Sequence, residues 1–329
     1  MRYSELLSAT LSDGLGDRLP VAAWQHHPVA DQETESFVDS TLAFQARFDF
    51  DLVKLTPAST WQARDHGLQD AWEGDAIGRR RVLAPVITAP DQWDRIAAID
   101  PKAGFSGRIV AAAARLRRHL PGHIPLLATV FNPVFQASQL RGTTDLLADS
   151  QHHPDRLRPA LDRLRDNTVA TIRALRDTGI DGIFYVTQHA QAAVTTARQW
   201  QQLSLADDIA CLAAAAGLSF NMLHLHGAAV HTATYAECNM PLHYDHTDNN
   251  PYPDDLIRYL PAGLSTGPSA RTIAEAMPAD LIRQIMRLRQ TMAGQRFVLA
   301  PGCAIPLAAR PDQIATLAFA ARQPLRLAA

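Results

Sequence analysis

Eight short apolar runs, most of them separated by longer amphipathic stretches, punctuate this sequence. That alternation restricts the chain to an α/β architecture. The runs are "VAAWQ" (21–25), "DLVKLTP" (51–57), "IPLLATVF" (124–131), "DGIFYVT" (181–187), "LSFNMLHLH" (218–226), "MPLHYD" (240–245), "AGLST" (262–266) and "RFVLAP" (296–301). The clearest helical pattern covers 155–178. There Leu157, Leu161, Leu164, Ile172 and Leu175 fall on one face, and Gly179 stands where a left-handed C-cap belongs. "PADLIRQIMRLRQTMA" (278–293) repeats the plan before Gly294, and "RDTGIDGIFYVTQ" reads helix, glycine, strand. Eight such units in 329 residues predict a (β/α)8 TIM-type barrel. The competing open, doubly wound sheet announces itself by a Gly-rich first βα loop, and none follows "VAAWQ". The least regular stretch, 57–123, is predicted to hold an insertion with extra helices in the N-terminal half. Without internal repeats or a low-complexity linker, the expectation is a single domain over 1–329.

Composition supports a large core, with 47% hydrophobic residues, and it excludes some partners. A net charge of −2 supplies no field to draw the chain onto nucleic acid or an anionic membrane. The densest basic patch, Gly78-Arg79-Arg80-Arg81, reads as a solvated turn. Cys211, Cys238 and Cys303 are too few and scattered for a disulfide framework, which suits a reducing cytoplasm. The first residues, "MRYSELLSATLSDGLGDRLP", lack the apolar core of a signal peptide. No apolar run approaches the roughly 20 residues of a membrane span. The oligomeric state is open, a homodimer included.

In a TIM-type barrel the chemistry lies at the C-terminal ends of the strands and in the loops after them. Those positions read His26 and His27, Lys54, Asn132, Gln188 and His189, His224 and His226, Asp245 and His246, Ser265, and Cys303. Residues i and i+2 of a strand share a side, so His224 and His226 project together while Leu225 turns away. The loops after the fifth and eighth strands face a common mouth, which brings Cys303 of "LAPGCAIP" toward the histidines. Two neutral imidazoles and a thiolate suit Zn2+, with a fourth position free for substrate or water. The bland alternative is ordinary packing and hydrogen bonding by each of the three.

"HLHG" followed 77 residues later by the Cys of "PGCAIP" resembles the uroporphyrinogen decarboxylase superfamily. It looks most like the branch of zinc-dependent methylcobalamin:coenzyme M methyltransferases, which carries a His-x-Cys motif on a barrel strand and a distant Cys in a Pro-Gly-Cys-type turn. "IPLLATVFNP", "GIDGIFYVTQ" and "RFVLAPGCAIP...RPDQIATL" are similar to the third strand, the fourth strand and the terminal strand, turn and helix of that family. The resemblance implies that His224 and Cys303 are zinc ligands. His226 stands where the first zinc Cys would be, a departure that leaves about +1 net charge on the metal rather than zero. Such a zinc is the stronger Lewis acid, but it leaves a bound thiolate less nucleophilic. The tetrapyrrole decarboxylases themselves fit less well. Their Arg-Gln-Ala-Gly-Arg segment corresponds to "WQHHPVAD", and Lys54 or Thr56 stands near the place of their catalytic Asp.

The resemblance therefore implies a methyltransferase that activates a thiol acceptor on zinc. Its donor would be methylcobalamin on a separate corrinoid protein, since no Asp-x-His-x-x-Gly corrinoid motif is evident here. A second reading keeps the metal as a Lewis acid for decarboxylation, hydrolysis or C–C cleavage of a small acid. A third is a non-catalytic metal- or corrinoid-binding protein. His26, His27 and His246 are candidates for proton transfer, and Asp245 is the preferred fourth ligand ahead of Asp248 and Glu237. Lys54, Gln188 and His189 are candidates for substrate binding, Lys54 because an unpaired ammonium in an apolar strand is costly. Cys238 is a reserve ligand, Cys211 a packing residue, and His231 and His243 are read as structural.

Overall fold

A computed structural model describes residues 19–323. The N-terminal reading on "MRYSELLSATLSDGLGDRLP" lies outside the described residues except for its last two. The strands are β1 (Val53–Leu55), β2 (Asp70–Ala71), β3 (Arg81–Val82), β4 (Leu126–Phe131), β5 (Gly182–Thr187), β6 (Met222–Leu225), β7 (Leu242–His243), β8 (Leu264–Thr266) and β9 (Phe297–Leu299). Seven of them form one curled parallel sheet in the order β1-β4-β5-β6-β7-β8-β9. Helices or shorter turns lie between them, as the alternating pattern predicts.

The expected first strand, 21–25, is reduced to a seam. Val21 makes a parallel bridge to Leu299 of β9, with Leu299 N donating to Pro20 O and Ala22 N to Leu299 O, both at 2.9 Å. On its other side Asp51 N donates to Val21 O at 2.9 Å, just before β1. Three residues thus join the two ends of the sheet and close the barrel. Beyond them the chain leaves the strand path because its hydrogen bonds go elsewhere: Trp24 O accepts from Ile305 N, and Gln25 Nε2 donates to Pro306 O.

The stretch between β1 and β4 is the expected insertion. It holds the short helix Trp61–Arg64, the antiparallel pair β2 and β3, a 3-10 turn at Pro90–Arg95 and the helix Gly104–His119. The sequence pattern does not announce the hairpin. Charge anchors it instead, since the Asp70 carboxylate, fully buried, binds both Arg64 and Arg80. Arg79 and Arg81 stay exposed and pair with Asp75 and Glu73.

β4 and β5 are buried at every position, as central strands of a parallel sheet must be. The helix Pro154–Arg176 packs on β4 and buries the predicted Leu157, Leu161, Leu164, Ile172 and Leu175, and Gly179 adopts φ +82° after it. Each such leucine withdrawn from water contributes roughly 1.5–3 kcal/mol. The helix Pro278–Thr291 likewise buries Leu281, Ile285 and Leu288. Among the described residues no helix is long and apolar enough to cross a membrane.

Candidate active site

The C-terminal strand ends surround a cavity of about 280 Å3. Its wall draws on most of the barrel: Trp24 and His26 after the seam, Lys54 of β1, Thr129 and Phe131 of β4, Phe184 of β5 with Gln188 beyond it, His224 and His226 at the end of β6, and Cys303 after β9. Arg79 and Arg80 reach its edge from the hairpin. The predicted i, i+2 pair therefore does share a face, and it meets the distant cysteine.

Cys303 Sγ and His226 Nδ1 are 3.8 Å apart. Two corners of a tetrahedral zinc site, with Zn–S about 2.3 Å and Zn–N about 2.05 Å, stand about 3.6 Å apart, so this pair already has the spacing of ligands to one ion. The His224 and His226 rings lie 5.6 Å apart, centre to centre. Among the described residues no group of three or more His, Cys, Asp or Glu side chains is gathered to hold a metal. The donors fit in kind, and two of the three fit in spacing. Burial opposes charge on His226, yet the hydrogen bond and charge of Cys303 hold its pKa above the ordinary value. Burial also opposes the Cys303 thiolate, but His226, the Ala304 N–H and Lys54 outweigh it and lower the thiol pKa.

His224 has a partner that the sequence reading set aside. His243 lies opposite it in the β6–β7 register, and their Nδ1 atoms are 2.7 Å apart. Trp24, Phe184, His224 and His243 form an aromatic box, with ring centres 4.7 to 5.3 Å apart. The signal for His243 was present, since "PLHYD" places His243 and Asp245 on one side of a strand.

Lys54 Nζ lies 5.0 Å from the Trp24 ring centre and 4.7 Å from that of Phe184, and it donates to Thr56 Oγ1 at 3.3 Å. Among the described residues no carboxylate pairs with it. Burial lowers its pKa to about 7. His26 lines the same cavity with Nδ1 buried and unpartnered, and burial, followed by the charge of Lys54, pushes its pKa down to about 3.

Four candidates are not brought to the cavity wall. His27 faces a separate small pocket beside Phe44. His189 turns toward the helices, with Nε2 2.9 Å from Ser138 Oγ, and burial lowers its pKa to about 4. Asp245 Oδ1 accepts from Thr247 N and Oγ1, an Asx-type turn. Its carboxyl packs so closely on Gly302 that a Cβ there would stand 2.2 Å from Asp245 Cγ, so the Pro-Gly-Cys turn needs its glycine. His246 Nδ1 meets Thr266 Oγ1 at 2.9 Å, and its ring meets Tyr252. The reason is common to both: β7 ends at His243, two residues earlier than the strand pattern implied. Asn132 caps the helix Pro133–Arg141, and Cys211 is buried in the core as expected.

Comparison with known proteins adds a fold and a family. A methyltransferase from Methanosarcina mazei superposes with a TM-score of 0.83 at 18% identity, over 97% of each chain. A B12-independent methionine synthase from a Shewanella species, in complex with selenomethionine, gives 0.60 at 12% identity, over 92% of this chain and 97% of that one. A putative vitamin-B12 independent methionine synthase from Listeria monocytogenes gives 0.55 at 12% identity, over 89% and 86%. At these identities the likeness is one of fold. No curated protein matches the sequence significantly. The family model described as uroporphyrinogen decarboxylase (URO-D) matches residues 21–324, nearly the entire described chain. The chain therefore belongs to the uroporphyrinogen decarboxylase family.

Proposed function

We propose that this protein is a zinc-dependent methyltransferase that methylates a thiol acceptor, with the methyl group delivered as methylcobalamin on a separate corrinoid protein. The observation that carries the reading is the 3.8 Å pair of His226 Nδ1 and Cys303 Sγ in the cavity wall, with His224 beside it. The fold shared with methyltransferases supports it. His224, His226 and Cys303 would hold the ion. Zinc, when bound, supplies a Lewis acid that lowers the pKa of the acceptor thiol. The remaining wall residues do the positioning. Gln188 offers an amide to the substrate, and Lys54 offers positive charge to an anionic group on it. Trp24, Phe131, Phe135 and Phe184 make part of the wall apolar, which strengthens the polar contacts beside them.

The test is metal content together with methylation of small thiols from free or protein-bound methylcobalamin. The expected result is about one zinc per chain, lost with the activity in Cys303→Ala and His226→Ala. A protein without stoichiometric zinc, whose thiol methylation survives both changes, would overturn the reading. A second reading is favoured by Lys54, a cation without a carboxylate partner in the wall: metal-assisted decarboxylation or lyase chemistry on a small acid. Turnover of small acids with no methyl donor or thiol present distinguishes it.

A further inference from the structure

His243 deserves more than a packing role, because its three polar contacts determine where the protons lie. His243 Nε2 stands 3.0 Å from the carbonyl oxygen of Pro301. A carbonyl only accepts, so the proton is on Nε2 of His243. His224 Nδ1 stands 3.2 Å from the carbonyl oxygen of His243, so by the same rule the proton of His224 is on Nδ1. The 2.7 Å contact between the two Nδ1 atoms then closes without conflict: His224 donates, and the lone pair of His243 accepts. Protons on both Nδ1 atoms would face each other across that distance. The accepting Nδ1 of His243 carries no proton, so that ring is neutral, and both rings are buried, where an imidazolium without a counter-charge is costly. A neutral imidazole has one N–H, so Nε2 of His224 is left with a lone pair.

We propose that His243 is a positioning residue that locks His224 in the Nδ1–H tautomer, so that His224 Nε2 is presented as a donor to a metal ion in the cavity. This rests on the reading of His224 as a ligand. His243 also links the two distant halves of the site. It accepts from His224 on β6 and donates to Pro301, two residues before Cys303, so one ring fixes the spacing between the strand ligands and the Pro-Gly-Cys turn. Metal-binding histidines are commonly oriented by a carboxylate or a carbonyl. Here a second, neutral imidazole does this, and it adds no charge to a site whose ligands already leave the metal cationic.

The experiment is 15N NMR of the histidine side chains in the metal-free protein, combined with zinc affinity measured by chelator competition. His243→Phe keeps an aromatic ring but removes its acceptor, leaving His224 Nδ1 the backbone carbonyl of residue 243, and His243→Gln restores a side-chain acceptor. The expected results are a single Nδ1–H tautomer for His224 in the wild type, a measurable Nε2–H fraction in His243→Phe, where the 3.2 Å backbone carbonyl is the one acceptor left of the two, and zinc affinity about 10–100-fold weaker in that variant. His243→Gln recovers part of the affinity. A wild-type His224 protonated on Nε2 would overturn the proposal, as would a His243→Phe protein with unchanged tautomer and zinc affinity. The NMR arm needs no variant to fold. Tight zinc binding with the opposite tautomer keeps the metal reading and overturns the role of His243. The assigned tautomer with no zinc bound supports the locking role and counts against the metal reading instead.

Discussion

An ammonium has three N–H donors, and at Lys54 the surroundings offer one hydroxyl and two ring faces. Cation–π contacts of this kind return about 0.5–2 kcal/mol, less than the cost of removing the charge from water. Burial accordingly lowers the pKa of Lys54 to about 7 from 10.5. Between those values the unfolded chain holds the extra proton, so stability rises with pH across that window, and the penalty is complete below pH 7. Lys54→Met should therefore be more stable than the wild type at pH 6, by roughly 1–4 kcal/mol, with the gap closing toward pH 10. Thermal unfolding at three pH values measures this. A variant less stable at pH 6 would show that the Cys303 thiolate compensates the ammonium.

Behind the cavity, the helical segment from Ala197 to Ala214 departs from regular geometry in a π turn at Gln201–Leu205. Ser204 in that turn and Asp208 after it face inward. The Asp208 carboxylate accepts from Tyr185 at 2.8 Å, Tyr235 at 2.6 Å, Ser204 at 2.8 Å and Asn132 at 3.2 Å. It thereby ties β5, the end of β4 and the loop after β6 to one helix, and π turns often mark such places. Burial raises its pKa to about 6, although all four donors work against the rise. For an acid raised from 3.8, the folded state holds the extra proton, so stability is greatest below pH 4 and is lost as pH rises to about 6. Asp208→Asn does not titrate. The wild type should lose about 3 kcal/mol relative to it between pH 4 and pH 6.5, read from denaturant unfolding of both proteins. Parallel pH curves would refute the assignment. These elements also show what a linear pattern carries. The helices at 154–176 and 278–291 were legible because apolar periodicity is local. The hairpin of β2 and β3 was not, because Asp70 holds it through Arg64 and Arg80, a tertiary contact. The pairing of His243 is not legible for a related reason: its partner comes from the neighbouring strand and its acceptor from 58 residues away.

For the molecule as a whole, a parallel barrel holds only if its first and last strands meet, and here a single bridge at Val21 joins them. Eight apolar runs made the barrel legible, but nothing local in "VAAWQ" reveals that only three residues keep the strand path. The seam has an unusual fastening. Val21 N donates at 3.1 Å to the Asp51 carboxylate rather than to a backbone carbonyl, while Asp51 N donates to Val21 O. Trp24 and His26 follow the seam at once, and Lys54 follows Asp51, so the fastening sets three members of the cavity wall. Asp51→Ala removes the acceptor from a buried amide and should cost about 1–3 kcal/mol. Asp51→Asn, which keeps an acceptor oxygen, should cost less. Hydrogen exchange separates a seam effect from general destabilisation. In Asp51→Ala the amides of Val21, Ala22 and Leu299 should lose protection ahead of those in β4 and β5, because opening the seam exposes the barrel edges and leaves its centre paired. Uniform loss of protection over all strands would mean that the barrel unfolds as one unit and that the Val21 bridge is not its weakest point. If the seam opens first, the Trp24–Lys54 contact should weaken with it, since Trp24 follows the seam directly and Lys54 lies on the strand next to it.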